Sequence, residues 1–371
     1  MAEVTPATGL QKQVWMKKYF QEYVRLSSYL PYMTNADMNK GGIILSRYEL
    51  QQESGKTINV PFIGRLKSLG VTGTEVLDGN EEGLTNFNCP ISIDWRRNGV
   101  RIPKSTSYQV EVDLWNAARD ALITWEAEKV RDDITNALGQ VIVDTNGTTV
   151  NIGSSTSTQR NFWTAANPDR ILFGSNISDY SATFATGLGN ITSGMTASAA
   201  MFSKAKRIAK LADPHIRPMR TAIGREFFVA FHGSRSFRDI KSDSTIIAAN
   251  TNARPREDDG MKENPLFQDG DILYDGVIHH EVPELDAWAD STGIFDGQGS
   301  GGVDIRPVFL CGGGAVAIAW GQEPTPRTDL LKDYQFRPGV AIEELLGVKK
   351  VNFNGIQNGI VTVLVCASAD S

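Results

Sequence analysis

The chain has 371 residues, of which 41% are hydrophobic and 22% charged, and these values are typical of a globular protein rather than a disordered chain. Its 37 basic and 43 acidic side chains give a formal net charge of −6, which excludes a general electrostatic attraction to nucleic acid. The N-terminus lacks a cationic segment followed by an apolar run, and the longest apolar runs are too short for a bilayer, so we expect no targeting signal and no membrane partner.

An arm rich in aromatic residues comes first in the chain. We expect residues 1–40 to form this arm, with a helix from Gln11 to Leu30 that Pro31 ends. Trp15, Tyr19 and Tyr23 lie close to one face of the predicted helix. Because so much aromatic surface needs a partner, the helix either packs on its own domain or contacts another subunit.

An extended hairpin follows the arm. Every second residue from 87 to 95 is apolar, which predicts a strand with one apolar face, and residues 58–62 repeat the pattern in a shorter strand. The segment between them is rich in glycine and charge, including Arg65, Lys67, Glu75, Asp78, Glu81 and Glu82. The four acids are interpreted either as solvated turn residues or as a patch for cations of a neighbouring subunit.

A very long amphipathic helix is predicted next. The segment from Val110 to Leu138 contains no glycine or proline, and such a helix is roughly 40 Å long. A long hairpin beside a long stiff helix is suited to a protein that contacts its neighbours, and is a poor beginning for an enzyme pocket.

Later elements are assigned from their periodicity and composition. A second helix is predicted from Thr196 to Ala212, with apolar residues on one face and four cations on the other. The remaining predictions are a buried strand at Glu226–His232, a hairpin at Ile272–Val282, a glycine-rich loop at Asp286–Asp304 and a strand covered on both faces at Gly359–Cys366.

The strongest candidate for catalytic chemistry is the run His279-His280-Glu281, with Glu284 nearby. In a strand the two histidines point to opposite faces, so they cannot bind one ion together, and the HExxH spacing is absent. The three cysteines form no CxxC pair and are interpreted as buried apolar residues. We therefore predict no catalytic residue, no cofactor and no metal, and keep a cytosolic metal-dependent α+β hydrolase using this run as the alternative.

Short motifs spread along the chain carry a family resemblance. They are Val14-Trp-Met-Lys-Lys, Gly55-Lys-Thr-Ile-Asn-Val-Pro61, Leu77-Asp-Gly-Asn-Glu-Glu82, Trp125 with the charged residues after it, Ile216-Arg-Pro218, Asn264-Pro-Leu-Phe267, Tyr274-Asp-Gly-Val-Ile-His279 and Gly347-Val-Lys-Lys350. With the order of arm, hairpin, long helix and closing strands, the chain resembles the major capsid proteins of tailed bacteriophages, in particular the N-four-type podophage branch.

The resemblance implies an α+β, Hong Kong 97-like capsid fold. Residues 1–40 would be the N-terminal arm and 41–103 the extended loop with adjoining strands. Residues 104–164 would hold the peripheral domain with its spine helix at 110–138, residues 165–322 the axial domain, and residues 323–371 the closing strands of the peripheral domain. The candidate intersubunit contacts are Trp15, Tyr19, Tyr23, Arg65, Lys67, Glu75, Asp78, Glu81 and Glu82.

The resemblance also implies a structural function. The chain would self-assemble as hexamers and pentamers into an icosahedral shell around double-stranded DNA, with no sequence-specific DNA contact. The expected partners are the chain itself, a portal, a separate scaffolding protein and a decoration or cement protein. The expected location is the virion, after assembly in the cytoplasm of the bacterial host.

Overall fold

Helices and strands are interspersed along the chain, with a long run of strands from β14 to β19 at its end. The computed structural model describes residues 28–34, 42–51, 55–110, 113–220, 225–252, 267–268 and 271–367. The helices in these ranges are α1 (Lys104–Gln109), α2 (Leu114–Leu138), α3 (Ser157–Ala166), α4 (Phe184–Gly189), α5 (Ala199–Leu211), α6 (Ser234–Lys241), α7 (Ser244–Asn252) and α8 (Glu284–Thr292).

The strands are β1 (Met33–Thr34), β2 (Ile44–Arg47), β3 (Thr57–Ile63), β4 (Asn86–Ser92), β5 (Asp94–Arg101), β6 (Gln140–Ile142), β7 (Thr149–Asn151), β8 (Ile171–Phe173), β9 (Met219–Arg220), β10 (Glu226–His232), β11 (Phe267–Gln268), β12 (Asp271–Tyr274), β13 (Val277–Glu281), β14 (Ile305–Cys311), β15 (Val316–Asp329), β16 (Gly339–Lys350), β17 (Asn352–Phe353), β18 (Ile356–Gln357) and β19 (Ile360–Cys366). The predicted strand at Glu226–His232 and the predicted hairpin at Ile272–Val282 are confirmed.

The chain separates into two compact units, each made of several chain segments. The smaller unit contains the described parts of Trp95–Val130 and Gln322–Leu345. The larger unit contains the described parts of Ser28–Asp94, Arg131–Gly321 and Leu346–Ser371.

A mixed sheet organises the larger unit. Its strand order is β11-β12-β13-β10-β14-β19-β8, with β9 paired to β10. Two interior strands, β14 and β19, are antiparallel, and every residue in both is buried. Val361, Val363 and Val365 join the core that contains α5, while Leu364 and Cys366 join the core on the other face. The prediction of a strand covered on both faces is confirmed.

The smaller unit packs a helix against strands. The strands β15, β16 and β5 are neighbours in that order. Ala118 and Leu122 of α2 share a buried cluster with Val340 and Ile342 of β16. Trp115 and Trp125 pack at its edge, as expected for aromatic residues that fill space rather than bind a ligand.

The long helix begins four residues later than predicted. Val110 has an extended backbone at φ −117° and ψ 131°, and α2 starts at Leu114. The carboxylate of Asp113 accepts hydrogen bonds from the backbone N–H groups of Trp115 and Asn116, at 3.1 and 3.2 Å, and so caps the helix. The remaining 25 residues span about 37 Å. The short helix α1 before it was not predicted.

The predicted loop at Asp286–Asp304 is wrong in its first part, because α8 extends to Thr292. Leu285 and Ala289, one helical turn apart, are buried. The acidic first turn suits a helix N-terminus, and Gly293, at φ 63°, ends the helix in the left-handed conformation. The glycine-rich composition that suggested a loop therefore begins only where the helix ends.

A cluster of three charged side chains lies between α2 and the sheet of the smaller unit. Arg96 Nε donates a short hydrogen bond to Glu344 Oε1, and Glu344 is fully buried. Burial, followed by the charge and hydrogen bonding of Glu344, raises the pKa of Glu126 from its ordinary 4.5 to about 7, although Arg96 opposes the shift.

We expect Glu126→Gln to raise the melting temperature by a few degrees at about pH 8 and to leave it unchanged near pH 4. The folded state keeps a proton on Glu126 that the unfolded chain loses, so this residue lowers stability progressively as the pH rises from 4.5 to about 7. Glutamine mimics the protonated acid at every pH. Thermal melts across this range measure the effect, with the exposed Glu323→Gln as the matched control. An equal gain in both variants would contradict the assignment.

Candidate assembly surface

The extended loop projects from the hairpin of β3 and β4. The two strands pair antiparallel from Thr57 opposite Ser92 to Ile63 opposite Asn86, as the sequence pattern predicts. Gly64 N donates to Thr85 O at 2.8 Å and closes the pairing, so residues 65–84 form the loop itself. On the body of the same unit, β4 lies beside β17, and Phe62 stacks on Phe353 with ring centroids 4.6 Å apart.

Large apolar side chains are exposed along this loop. Leu69 is 100% exposed, and the rest are more than half exposed: Ile63, Leu66, Val76, Leu77 and Leu84. Exposed apolar groups concentrated on one segment mark an interaction surface. The sequence interpretation missed them because it weighed the charges of this segment. The available signal was the recurrence of leucine and valine among turn-forming residues.

The acids of the loop have partners within the loop. Both carboxylate oxygens of Glu82 accept from Lys67 N, at 2.7 and 2.8 Å, and Oε2 also accepts from Ser68 N at 2.6 Å. These backbone hydrogen bonds hold the pKa of Glu82 below its usual value. Glu81 accepts from Gly79 N at 2.8 Å and Glu75 from Thr72 N at 3.4 Å. Glu75, Asp78 and Glu81 are exposed.

The two predicted cations lie at the base of the loop. Lys67 Nζ is 2.5 Å from Asp213 Oδ2, and Arg65 Nη2 is 3.6 Å from Asp213 Oδ1. Arg65 and Lys67 thus meet a carboxylate of their own chain. Trp15, Tyr19 and Tyr23, with most of the predicted arm helix, lie outside the described residues.

A second exposed apolar segment joins β15 to β16 in the smaller unit. Tyr334 is 100% and Leu331 84% exposed, with Leu330 and Phe336 about half exposed. Asp333, Tyr334 and Gln335 all have positive φ, between 51° and 70°. Consecutive non-glycine residues in this region store backbone strain of about 1–3 kcal/mol each and are characteristic of functional segments. The sequence did not indicate this site.

The histidine run has the geometry expected of a strand. His279 is fully buried and its Nδ1 lies 2.9 Å from Nε2 of His232, while His280 Nδ1 lies 2.6 Å from Asp271 Oδ1 on the other face. Glu281 accepts from Ser234 Oγ at 2.7 Å, and Glu284 pairs with Arg131 at 3.4 Å. These separate partners give no support to the hydrolase alternative.

In the part of the chain that the structure describes, no three His, Cys, Asp or Glu side chains come together in a way that could hold a metal ion. No described helix combines the length and apolar character required to cross a bilayer.

The buried histidine pair predicts a loss of stability in acid. Burial lowers the pKa of His279 from 6.5 to about 3 and that of His232 well below its ordinary value, so the folded state keeps both neutral. The contribution of the pair to the free energy of unfolding is then fully present above pH 6.5. It falls as the pH falls, because the unfolded chain binds protons at a higher pH than the folded chain does.

We expect His279→Gln to be less stable than the parent chain at neutral pH, because the imidazole packing on Phe202 is lost. Between about pH 7.5 and 5, its free energy of unfolding should fall less than that of the parent chain. Chemical denaturation at each pH measures this slope. Ile246→Val, which removes packing from the same core but no titrating group, is the control and should keep the parent slope. A parent-like slope in His279→Gln would show that the pair does not titrate in this way.

Known proteins resemble this chain over its whole length. The profile of the phage capsid protein family matches residues 3–364. The chain is 27% identical to the major capsid protein of Pseudomonas phage KPP25, over 97% of this chain and 96% of that protein.

Solved capsid structures match as well. The capsid asymmetric unit of cyanophage Pam1 is 44% identical, covers 100% of both chains and superposes with a TM-score of 0.90. The capsid of Ralstonia phage GP4, 18% identical with a TM-score of 0.71 over 100% of both chains, shares the fold. The predicted α+β capsid fold of the Hong Kong 97 type agrees with these matches, and the resemblance drawn from the sequence is confirmed. The chain belongs to the phage capsid protein family.

Proposed function

We propose that this chain is the major capsid protein that self-assembles as hexamers and pentamers into the icosahedral shell around a phage double-stranded DNA genome. The observation that carries the proposal is the concentration of exposed apolar side chains on the loop at residues 65–84 and on the adjoining Ile63, in a chain of the capsid family. In the virion, these side chains would be covered by neighbouring copies of the chain.

The apolar loop supplies the driving force for association. Apolar surface contributes roughly 25 cal/mol per Å² when it is removed from water, and a fully buried leucine contributes about 1.5–3 kcal/mol. In the isolated chain Leu69 provides none of this stabilisation, because it is 100% exposed. In a closed shell every copy presents its loop to a neighbour, so the contribution recurs at each interface.

Charged and aromatic contacts would add to the apolar interface. Glu75, Asp78 and Glu81 are exposed and acidic, which suits cations of a neighbouring subunit, although each exposed pair contributes only about 0–1 kcal/mol. Trp15, Tyr19 and Tyr23 remain candidates for contacts made by the arm. The strained segment at residues 330–336 is a second candidate for contact between copies.

The domain assignments follow the same proposal. Residues 1–40 would be the arm, 41–103 the extended loop with its strands, 104–164 and 323–371 the peripheral domain, and 165–322 the axial domain. The long helix α2 would be the spine helix of the peripheral domain. We further propose that the protein catalyses no reaction and binds no cofactor, in keeping with a structural protein family.

The further partners would be a portal, a separate scaffolding protein and a decoration or cement protein, with assembly in the host cytoplasm. The packaged DNA would be enclosed without sequence-specific contact. A net charge of −6 supports this, because an acidic chain repels phosphates and is better suited to enclosing DNA than to binding its backbone.

Expression of the full chain tests the proposal. Purified protein, examined by negative-stain electron microscopy and sedimentation, should form rings of five or six copies, shells or tubes. A monomer or dimer at all concentrations, with and without phage scaffolding protein, would contradict the proposed function.

We expect Leu66→Ser, Leu69→Ser and Leu77→Ser in one chain to lower the yield of assembled particles at least tenfold and to leave the subunit's melting temperature nearly unchanged. Exposed side chains contribute little to folding, so the loss falls on association. The control carries serine at Ile177, Leu211 and Ile247, which are exposed apolar residues outside the loop. A control that loses as much yield would show that general surface polarity, and not the loop, governs assembly.

We expect Glu75→Gln, Asp78→Asn and Glu81→Gln together to slow assembly two- to fivefold at low salt and to have little effect at high salt. Salt screens exposed pairs over about 10 Å at 0.1 M, so it should slow the parent chain in the same way. Light scattering against salt concentration measures the rate. Glu82 is left intact because its carboxylate holds the loop backbone. Equal rates at every salt concentration would leave these acids without a role in assembly.

A further inference from the structure

We propose that Arg65 and Lys67 position the extended loop by clasping Asp213 and His215 of their own chain, and so aim its apolar part at a second copy. The inference rests on the proposed function and assigns these two cations a role other than contact with a neighbour. The clasp consists of four side chains, Arg65, Lys67, Asp213 and His215.

Two cations converge on one carboxylate in the clasp. Lys67 Nζ reaches Asp213 Oδ2 at 2.5 Å, and Arg65 Nη2 reaches Oδ1 at 3.6 Å, so each carboxylate oxygen has its own cation. Arg65 Nη1 also lies 3.4 Å from His215 Nε2. His215 Nδ1 is 2.7 Å from Ala212 O, and an Nδ1–H donor there leaves Nε2 free to accept from Arg65.

The receiving side of the clasp is held by the body of the larger unit. Asp213 N donates to Asp169 Oδ2 at 2.9 Å, and Ile216 N donates to Ala209 O in α5 at 3.0 Å. Ala212 and Ile216, which flank the clasp residues, are buried in the core beside α5. The carboxylate therefore belongs to a rigid corner and not to a free loop.

The loop side is also held before it meets the corner. Glu82 binds the backbone N–H groups of Lys67 and Ser68, and so ties the outgoing and returning limbs of the loop together. Any force on Lys67 is thus transmitted to both limbs. The apolar residues Leu69, Val76 and Leu77 all lie beyond this tie.

The location of the clasp suits a role in orienting the extended loop. It joins residues 146 positions apart in sequence, at the point where the loop leaves its own hairpin. The side chains are about half exposed, so the clasp is weak and reversible, as a guide for association requires. Lys67, then Arg65, keep the pKa of Asp213 below its usual value, and added salt would weaken both ion pairs by screening.

Spin-label distances in the unassembled full chain test the proposal. One label is placed at the exposed Thr74→Cys in the loop and one at Ala185→Cys on α4, while the native Cys89, Cys311 and Cys366 are buried from the label. We expect Asp213→Asn to widen the distance distribution at least twofold and to lower particle yield about tenfold. Asp213→Glu, which restores a carboxylate for both cations, should narrow the distribution again and recover yield.

A matched control uses another exposed ion pair of the same unit. Glu226→Gln removes a carboxylate from its 2.8 Å contact with Arg220, and should change neither distribution nor yield. An Asp213→Asn distribution as narrow as the parent's, or an Asp213→Glu distribution no narrower than that of Asp213→Asn, would overturn the clasp. These results are separable from the proposed function, because particles formed by the parent chain test assembly, whereas the distances report only the loop.

Discussion

The fold of the larger unit depends on two strands that have no exposed face. Strands β14 and β19 pair in the interior of the sheet, and each of their residues is buried by helices or loops on one side or the other. This burial requires neutralisation of the one cation that they carry. Arg306 is 1% exposed at its side chain and meets Asp290 and Asp296, with Asp286 3.7 Å away. Removing one partner of such a group leaves an uncompensated buried charge, which is far more destabilising than losing a surface pair.

Burial in the body contrasts with exposure at two connections between strands. Most large apolar side chains of the two units are buried, whereas the loop between β3 and β4 and the turn between β15 and β16 each expose several close together in the chain. Folding alone gives no reason for this distribution, because neither segment contributes a side chain to a described core cluster. Association of many identical copies does give a reason, because the surface that each copy exposes is covered by a neighbouring copy.

Local patterns explain what the sequence could predict. The β3–β4 hairpin, β10 and β19 all follow from period-two or continuous apolar runs, and Asp275-Gly276 has the two positive φ values that a tight hairpin turn needs. The helix α8 was missed because glycine in the following loop dominated the composition. The start of α2 was misplaced because the absence of glycine and proline from Val110 onward gives no sign of the helix boundary, which the cap at Asp113 sets.

Contacts between distant residues could not be read from the sequence. Asp213 lies 146 residues from Lys67, and His232 lies 47 residues from His279, so no local pattern relates them. Glu126 and Glu344 likewise meet only because α2 packs on β16. The family resemblance implied the fold and the loop, but not which residues hold the loop in place.

The full exposure of Leu69 makes the timing of synthesis matter. An exposed leucine does not distinguish the correct neighbour from any other apolar surface that it contacts. Its chance of a wrong encounter grows with the time that each subunit spends alone, and that time shortens as subunits accumulate. Under the proposed function, shell nucleation would therefore favour a burst of production over a slow supply, and the loop would connect the geometry of one subunit to the rate at which a cell makes it.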